Sequence, residues 1–172
     1  MGYTTEFYGE VTLNKPLTNE LYDYLIKFSN TRRMKRDVEK IKEMGYGGDY
    51  GIDGEFFVDG KNYYIYGDGV DDSIIDYNTP PATQPGLWCQ WIPTADRMAI
   101  EWDGGEKFYS ADEWMDYLLN KILAPHGYTA NGKIYAYGES NDDHWMISVV
   151  DNKVNVYEGQ IVYKDEYGNI VE

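Results

Sequence analysis

The chain has 172 residues, of which 42% are hydrophobic and 16% aromatic, and its formal net charge is −15. This length fits one domain that buries about 70% of the surface exposed on unfolding, and the hydrophobic content excludes wholesale disorder. An acidic surface repels phosphate backbones and anionic membranes, so neither direct nucleic-acid binding nor membrane binding is expected. A basic protein partner is favoured instead.

The sequence also indicates a reducing compartment. Cys89 is the only cysteine, so no disulfide can form within the chain. The first ten residues have neither a basic start nor an apolar run, and no stretch approaches 18 consecutive apolar residues. We therefore expect a cytoplasmic protein without a signal peptide or membrane span.

The first third of the chain has the pattern of a strand followed by helices. Residues 3–13 alternate between apolar and polar side chains, which predicts a strand with one buried face. Thr18 can cap a helix over about residues 18–29. A shorter helical stretch is predicted over about residues 34–44.

The middle third predicts two hairpins with a loop between them. In residues 51–66 the segments IDGEFFV and KNYYIY flank an Asp59-Gly60 turn. Proline and glycine in residues 67–86 predict an irregular loop with a polyproline-like portion. LWCQWI and MAIEW then predict a second hairpin, joined through residues 93–96.

The last third predicts a helix and a meander of strands. Ser110 and Glu113 have the spacing of a capping box for a helix over about 111–123, which Pro125 should end. Strands are expected at 133–137, 145–150 and 153–157, with turns at 131–132, 141–143 and 151–152.

These elements together predict one α+β domain over residues 1–157, with a mostly antiparallel sheet, because regular strand–helix alternation is missing. Residues 158–172 are predicted to be a C-terminal extension. They either add a hairpin around residues 167–169 or remain loosely attached.

A basic island is the clearest charge feature. Seven cations within residues 27–42 oppose two carboxylates, so this segment carries +5 and the remainder −20. The cations are Lys27, Arg32, Arg33, Lys35, Arg36, Lys40 and Lys42. The island is expected to contact a partner, to pair with the acidic body of the chain, or to form a solvated helical face.

A tryptophan segment contains Trp88, Trp91 and Trp102. On a strand, Trp88 and Trp91 point to opposite faces, so one of them should leave the core unless the strand is covered on both sides. An exposed tryptophan beside the proline-rich loop is suited to stacking on a base, a sugar or a proline.

The candidates for metal binding and catalysis are weaker. Asp71, Asp72, Asp103 and Glu106 lie in predicted loops, where paired carboxylates can bind a hard metal or transfer protons. Cys89 lies in an apolar strand, where burial makes a thiol inert. The glycine-rich segments match no phosphate-binding loop, and no cofactor is predicted.

Five sequence strings carry a family resemblance. They are MGYTTEF (1–7), TRRMKRD (31–37), DYNTPP (76–81), QPGLWCQW (84–91) and EWDGGEKFY (101–109). In these strings the chain resembles a widespread family of small bacterial and phage proteins that has no known activity. The resemblance implies a compact cytosolic domain of bacterial or phage origin, and it supplies no catalytic residues.

The sequence favours a non-enzymatic protein-binding module. Its contact surface would combine Arg32, Arg33, Lys35 and Arg36 with Trp88, Trp91 and Trp102. One alternative is an acidic phage-type inhibitor that mimics nucleic acid and blocks a host defence or nucleic-acid-binding enzyme. Another is a small hydrolase that depends on carboxylates or a metal.

Overall fold

The computed structural model describes residues 2–58 and 71–171 and has an α+β fold. Its strands are β1 (Glu6–Leu13), β2 (Lys35–Arg36), β3 (Ile74–Asp76), β4 (Trp91–Pro93), β5 (Ala99–Trp102), β6 (Ala130–Tyr137), β7 (His144–Val150), β8 (Lys153–Glu158), β9 (Tyr163–Lys164) and β10 (Ile170–Val171). Six of these strands form one antiparallel sheet in the order β4-β5-β1-β6-β7-β8. The predicted fold class is confirmed.

The helices are α1 (Asn19–Asn30), α2 (Val38–Glu43) and α3 (Ala111–Tyr117). The core lies between one face of the six-stranded sheet and helices α1 and α3, where Phe28 and Trp114 are almost fully buried. In the described part of the chain, none of the helices combines the length and the apolarity that crossing a membrane requires.

The predicted alternation in the first strand is confirmed for β1. Phe7, Val11 and Leu13 face the core, whereas the strand begins at Glu6, later than the expected residue 3. Gly9 has φ of 108° and approaches the neighbouring strand so closely that a Cβ atom would lie 2.6 Å from the carbonyl oxygen of Lys133. The close pairing of β1 with β6 therefore requires glycine at this position.

Helix α1 begins where the sequence predicts. Thr18 Oγ1 accepts a hydrogen bond from the main-chain N–H of Leu21 at 3.2 Å, which satisfies one donor of the first turn. Leu25 and Phe28 are buried on the inward side of the helix.

The helical stretch expected over 34–44 is shorter than predicted. Lys35 and Arg36 form strand β2, which pairs with β3, and α2 begins only after Asp37 caps it. Residues far away in the sequence hold this segment in an extended conformation. The main-chain N–H groups of Arg33 and Lys35 donate to the carbonyls of Leu87 and Thr79, both at 2.8 Å.

The predicted hairpin over residues 51–66 is wrong in its first arm. Ile52–Gly54 forms a 3₁₀ turn instead of a strand, and Asp53 has a positive φ of 57°. The turn is held by Glu55 Oε2, which accepts a hydrogen bond from the N–H of Ile52 at 2.8 Å. The Asp59-Gly60 turn and the second arm lie outside the described residues.

The helix expected over 111–123 has the predicted extent, but its cap and the helix type of its second half differ from the prediction. Ser110 adopts a left-handed conformation with φ of 57° and makes no side-chain cap, so the capping box is wrong. After α3 the chain widens into a π-helix over Leu118–Leu123 and tightens into a 3₁₀ turn over Ala124–His126. Pro125 lies within that turn, and Gly127 ends it with φ of 81°.

The C-terminal meander is confirmed in β6, β7 and β8, with one correction. The turn expected at residues 131–132 does not form, because Gly132 lies inside β6 and pairs with both Val11 and Val149. Beyond β8, strands β9 and β10 pair with each other as the expected tail hairpin. The proposed division at residue 157 stays a prediction.

Candidate functional site

Arg33 is buried, so its side chain does not form part of the contact surface that the sequence predicted for Arg32, Arg33, Lys35 and Arg36. Only 2% of its surface is exposed. Its guanidinium group donates to the carbonyls of Phe57 at 2.7 Å and Glu55 at 2.6 Å. It also lies 4.1 Å from the centre of the Phe28 ring. Burial lowers the pKa of Arg33 to about 10, so the guanidinium remains charged at neutral pH, and the dipoles of the two carbonyl groups stabilise this charge.

Arg36 is also buried, with 2% of its surface exposed. Its Nη1 atom donates to Asp71 Oδ2 at 2.9 Å and to Ser73 Oγ at 2.7 Å. Its guanidinium group lies 4.2 Å from the centre of the Phe57 ring. This arginine joins the segment that follows α1 to residues 71–73, so it too is excluded from the surface.

Arg32 and Lys35 remain half-buried at the surface. Arg32 lies 4.1 Å from the centre of the Tyr77 ring and donates to the carbonyl of Tyr77 at 3.0 Å. Its Nη2 atom donates to Asn78 Oδ1 at 3.2 Å. Lys35 lies opposite Asp76 in the β2–β3 pair. Near strands β2 and β3, Arg32 and Lys35 are therefore the two cations of the basic island that reach the surface. Both lie beside residues 76–78.

Sequence reasoning missed a buried polar cluster that includes Arg33. Its members are Arg33, Glu55, Gln84 and Tyr117. Gln84 Nε2 donates to the carbonyl of Glu55 at 2.6 Å and to Tyr117 Oη at 3.0 Å. Tyr117 donates to Glu55 Oε1 at 2.9 Å, and burial raises the pKa of Tyr117. No local pattern could reveal the cluster, because its members are far apart in sequence and each lies in an unremarkable segment.

The buried polar cluster positions residues 84–87. Arg33 Nε donates to Gln84 Oε1 at 3.3 Å, and the main-chain N–H of Arg33 donates to the carbonyl of Leu87 at 2.8 Å. The loop that precedes the tryptophan segment is thus attached to the interior at both ends. Arg33 therefore affects the surface only by fixing the position of residues 84–87.

The tryptophans divide between core and surface. Trp91 is 1% exposed, and its indole N–H donates to the carbonyl of Ala111 at 2.8 Å. Trp102 is half-buried and donates to Gln90 Oε1 at 3.3 Å. Trp88 is half-buried in the loop before β4. Trp91 therefore belongs to the core, whereas Trp88 is only partly buried. Because β4 begins after Trp88, the prediction from opposite faces of one strand does not apply to this pair.

Trp88 lines a groove of about 710 Å³, which we call the Trp88 groove. The apolar part of its wall includes Pro80, Pro85, Leu87, Trp88 and Tyr109. The polar part includes Asn78, Gln90, Asp103, Glu106 and Lys107. The groove therefore joins the proline-rich loop to the carboxylate pair that the sequence singled out separately, and Asn78 connects it to Arg32.

The carboxyl of Asp103 has an unusual environment within the Trp88 groove. Asp103 is accessible to solvent, yet partial burial raises the pKa of its carboxyl, even though the N–H of Gly105 donates to its Oδ1 at 2.7 Å. Gln90 Nε2 donates to the carbonyl of Glu106 at 2.9 Å and holds the two sides of the groove together. A partly desolvated carboxylate gains from an incoming cation more than a fully hydrated one does.

The arrangement offers little for metal or nucleophilic chemistry. Among residues 2–58 and 71–171, three or more His, Cys, Asp or Glu side chains nowhere converge as a metal site requires. Asp71 is already bound to Arg36 and Ser73. Cys89 is fully buried, and burial raises the pKa of its thiol to about 12, so it is inert as predicted.

Comparison of the chain with protein-family models, with curated proteins and with solved structures finds no match. The resemblance to small bacterial and phage proteins therefore stays a prediction. Any functional proposal rests on the geometry of the Trp88 groove and on the distribution of charge.

Proposed function

We propose that this chain is a non-enzymatic protein-binding module that receives a segment of a partner protein in the Trp88 groove. The proposal rests on one observation: an indole, two prolines and two carboxylates line the same groove of about 710 Å³. Grooves of this size with apolar walls and a few fixed polar groups are suited to ligand binding.

The groove chemistry indicates which partner segment fits. Trp88, Pro80 and Pro85 present flat apolar surface that stacks on proline or aliphatic side chains. Asp103 and Glu106 face the same space and favour a lysine or arginine next to the apolar residue. The net charge of −15 attracts such a basic segment over a longer range.

The compartment and origin are further parts of this proposal. A single, buried cysteine supports a reducing cytoplasm. The five family-like strings support a bacterial or phage source. The partner would then be a cytoplasmic protein with an accessible basic and proline-containing segment.

The proposal is tested by selecting peptides from a random display library on the native protein and measuring their affinity by calorimetry. We expect the selected peptides to combine a basic residue with proline or an aliphatic residue. Trp88→Ala should weaken them by about tenfold or more, because central aromatic residues dominate such interfaces.

Tyr167→Ala is the matched control. Tyr167 is an aromatic residue of the tail hairpin with 81% of its surface exposed, and it does not line the Trp88 groove. It should leave the affinity unchanged. Equal binding by the native protein and Trp88→Ala, or selection of peptides without any basic residue, would contradict the proposal.

A further inference from the structure

The two edges of the six-stranded sheet differ in how they are protected. At one edge, β4 has only three residues, and the last is Pro93, which has no main-chain donor. At the other edge, β8 runs for six residues without proline and, among the described residues, pairs only with β7. Edge strands of this length and regularity are the ones that accept an additional strand.

The turn before β8 determines which of its main-chain groups point outward. Asp151 and Asn152 form a two-residue turn and both have positive φ, at 47° and 68°. The residues flanking such a turn, Val150 and Lys153, form a hydrogen-bonded pair, and these pairs then recur at every second residue. The hydrogen bond from Gly159 N to His144 O, at 2.6 Å, continues the same alternation.

Three residues of β8 consequently direct their N–H and C=O groups away from β7. They are Val154, Val156 and Glu158. The sheet places no strand on their outer side within residues 2–58 and 71–171. Such a row of main-chain donors and acceptors matches the backbone of an extended peptide.

The space beside β8 is strongly acidic. Val154 and Val156 line a cavity of about 820 Å³ together with Asp112, Glu113 and Asp116 from the adjacent helix α3. A second cavity of about 420 Å³ shares Asp112 and Val156 with the first and adds three further carboxylates. These are Asp142, Asp143 and Glu158. Among the described residues, Lys121 is the single lysine or arginine that lines either cavity.

We propose that the outer edge of β8 accepts a basic, extended segment of a partner protein as a seventh strand. The outward main-chain groups of β8 bind its backbone, and every second side chain of the segment enters the acidic space beside α3. Main-chain hydrogen bonds then supply affinity, and the carboxylates select lysine or arginine. Pro85 is the one described residue that lines both the first of these cavities and the Trp88 groove, and the two proposals are tested with different variants, so neither depends on the other.

A second copy of this chain is a poor occupant of the same edge. Pairing β8 with β8 of another copy would bring two sets of the same carboxylates together on molecules that each carry −15. Like charges at such short range oppose association. Charge complementarity therefore selects a basic partner.

The test uses the full chain and a synthetic peptide of about twelve residues that alternates lysine and threonine, with a glutamate-for-lysine peptide as the control. We expect the basic peptide to slow hydrogen exchange of the Val154, Val156 and Glu158 amides, as followed by NMR, and the acidic peptide to have no effect.

Val156→Pro removes one outward N–H, and proline is tolerated where that group faces solvent. We expect it to weaken the basic peptide by about tenfold or more, whereas Val156→Thr, which keeps the N–H, changes affinity less than about twofold. Asp112→Asn with Asp116→Asn should weaken binding severalfold and reduce its dependence on salt.

Several results would overturn the proposal. They are the absence of binding at about millimolar peptide, equal binding of the acidic peptide, and binding that leaves exchange of the three β8 amides unchanged. If Val156→Pro unfolds the chain, the exchange measurement on the native protein still decides. Protection that appears without peptide and rises with protein concentration would assign the edge to self-association instead.

Discussion

Arg32 and Arg33 are neighbours in sequence with opposite environments. Arg33 is almost fully buried, and its guanidinium donates to fixed carbonyl oxygens, whereas Arg32 lies half-exposed over a tyrosine ring. Arg36 follows the first pattern and Lys35 the second. Two of the seven cations of the basic island, Arg33 and Arg36, are thus part of the interior, where they hold loops in place, whereas the other five reach the surface.

The largest expected effect concerns Arg33. Arg33→Met should reduce the free energy of unfolding by about 3 kcal/mol, because it leaves the buried carbonyl of Phe57 without its donor and the carbonyl of Glu55 with the amide of Gln84 alone. Urea unfolding followed by fluorescence measures the change. The neighbouring Arg32→Gln should cost less than about 1 kcal/mol, as expected for a surface group. If both variants lost the same free energy of unfolding, the different roles assigned to Arg33 and Arg32 would be contradicted.

The ion pair between Arg36 and Asp71 makes a pH-dependent contribution. Burial raises the pKa of Asp71, but hydrogen bonds from Ser73 and Arg36 and the charge of Arg36 outweigh it, so the pKa lies below its ordinary value. The stabilisation is therefore complete above the unfolded-state pKa near 4 and is lost as pH falls through the folded-state pKa.

We expect Asp71→Asn to destabilise the protein by about 2 kcal/mol at pH 7. The difference between native protein and variant should shrink as the pH falls below about 4, because protonation also removes the charge of Asp71. Thermal unfolding over a pH series measures this difference. A difference that stays constant down to about pH 2 would mean that the pair does not titrate as described.

Asp103 should show the opposite sign and a smaller effect. Partial burial raises the pKa of its carboxyl, so the charged form costs stability at neutral pH and the cost disappears as the group is protonated. Asp103→Asn should therefore stabilise the chain slightly at pH 7, by at most about a few tenths of a kcal/mol, because solvent screens an exposed carboxyl. It should also weaken groove-binding peptides. Loss of stability together with unchanged peptide affinity would contradict the role given to this carboxylate.

The smallest expected effect is that of divalent metal on melting temperature. Asp103 and Glu106 face one groove, but the described residues bring no third metal-binding side chain to them. Calcium or manganese at about millimolar concentration should therefore leave the melting temperature unchanged, since only a ligand that binds the native state raises it. A rise of several degrees would favour the hydrolase alternative over the binding module.

Local patterns in the sequence were sufficient for much of the fold. The alternation in β1, the Thr18 cap and the meander of β6 to β8 depend on neighbours within a few residues, and the structure confirms them. The capping box at Ser110 fails because this residue adopts a left-handed conformation that a pattern of letters does not reveal. The first arm of the 51–66 hairpin fails because Glu55 folds back onto Ile52.

The candidate site was predictable only in pieces. The sequence drew attention to Trp88, and separately to Asp103 and Glu106, yet nothing local indicates that they share a groove. Their meeting depends on contacts across the chain, such as the hydrogen bond from Asp103 N to Gln90 O at 3.0 Å. The burial of Arg33 and Arg36 depends on similarly distant partners, which is why charge density alone indicated a surface patch.

NMR of the indole N–H groups, with a selected groove peptide added to the native protein, tests the central claim most directly. Partner recognition at the Trp88 groove predicts that the Trp88 signal shifts with peptide concentration while the signals of the buried Trp91 and Trp114 stay in place. A peptide that binds without moving the Trp88 signal would show that recognition occurs elsewhere on the molecule.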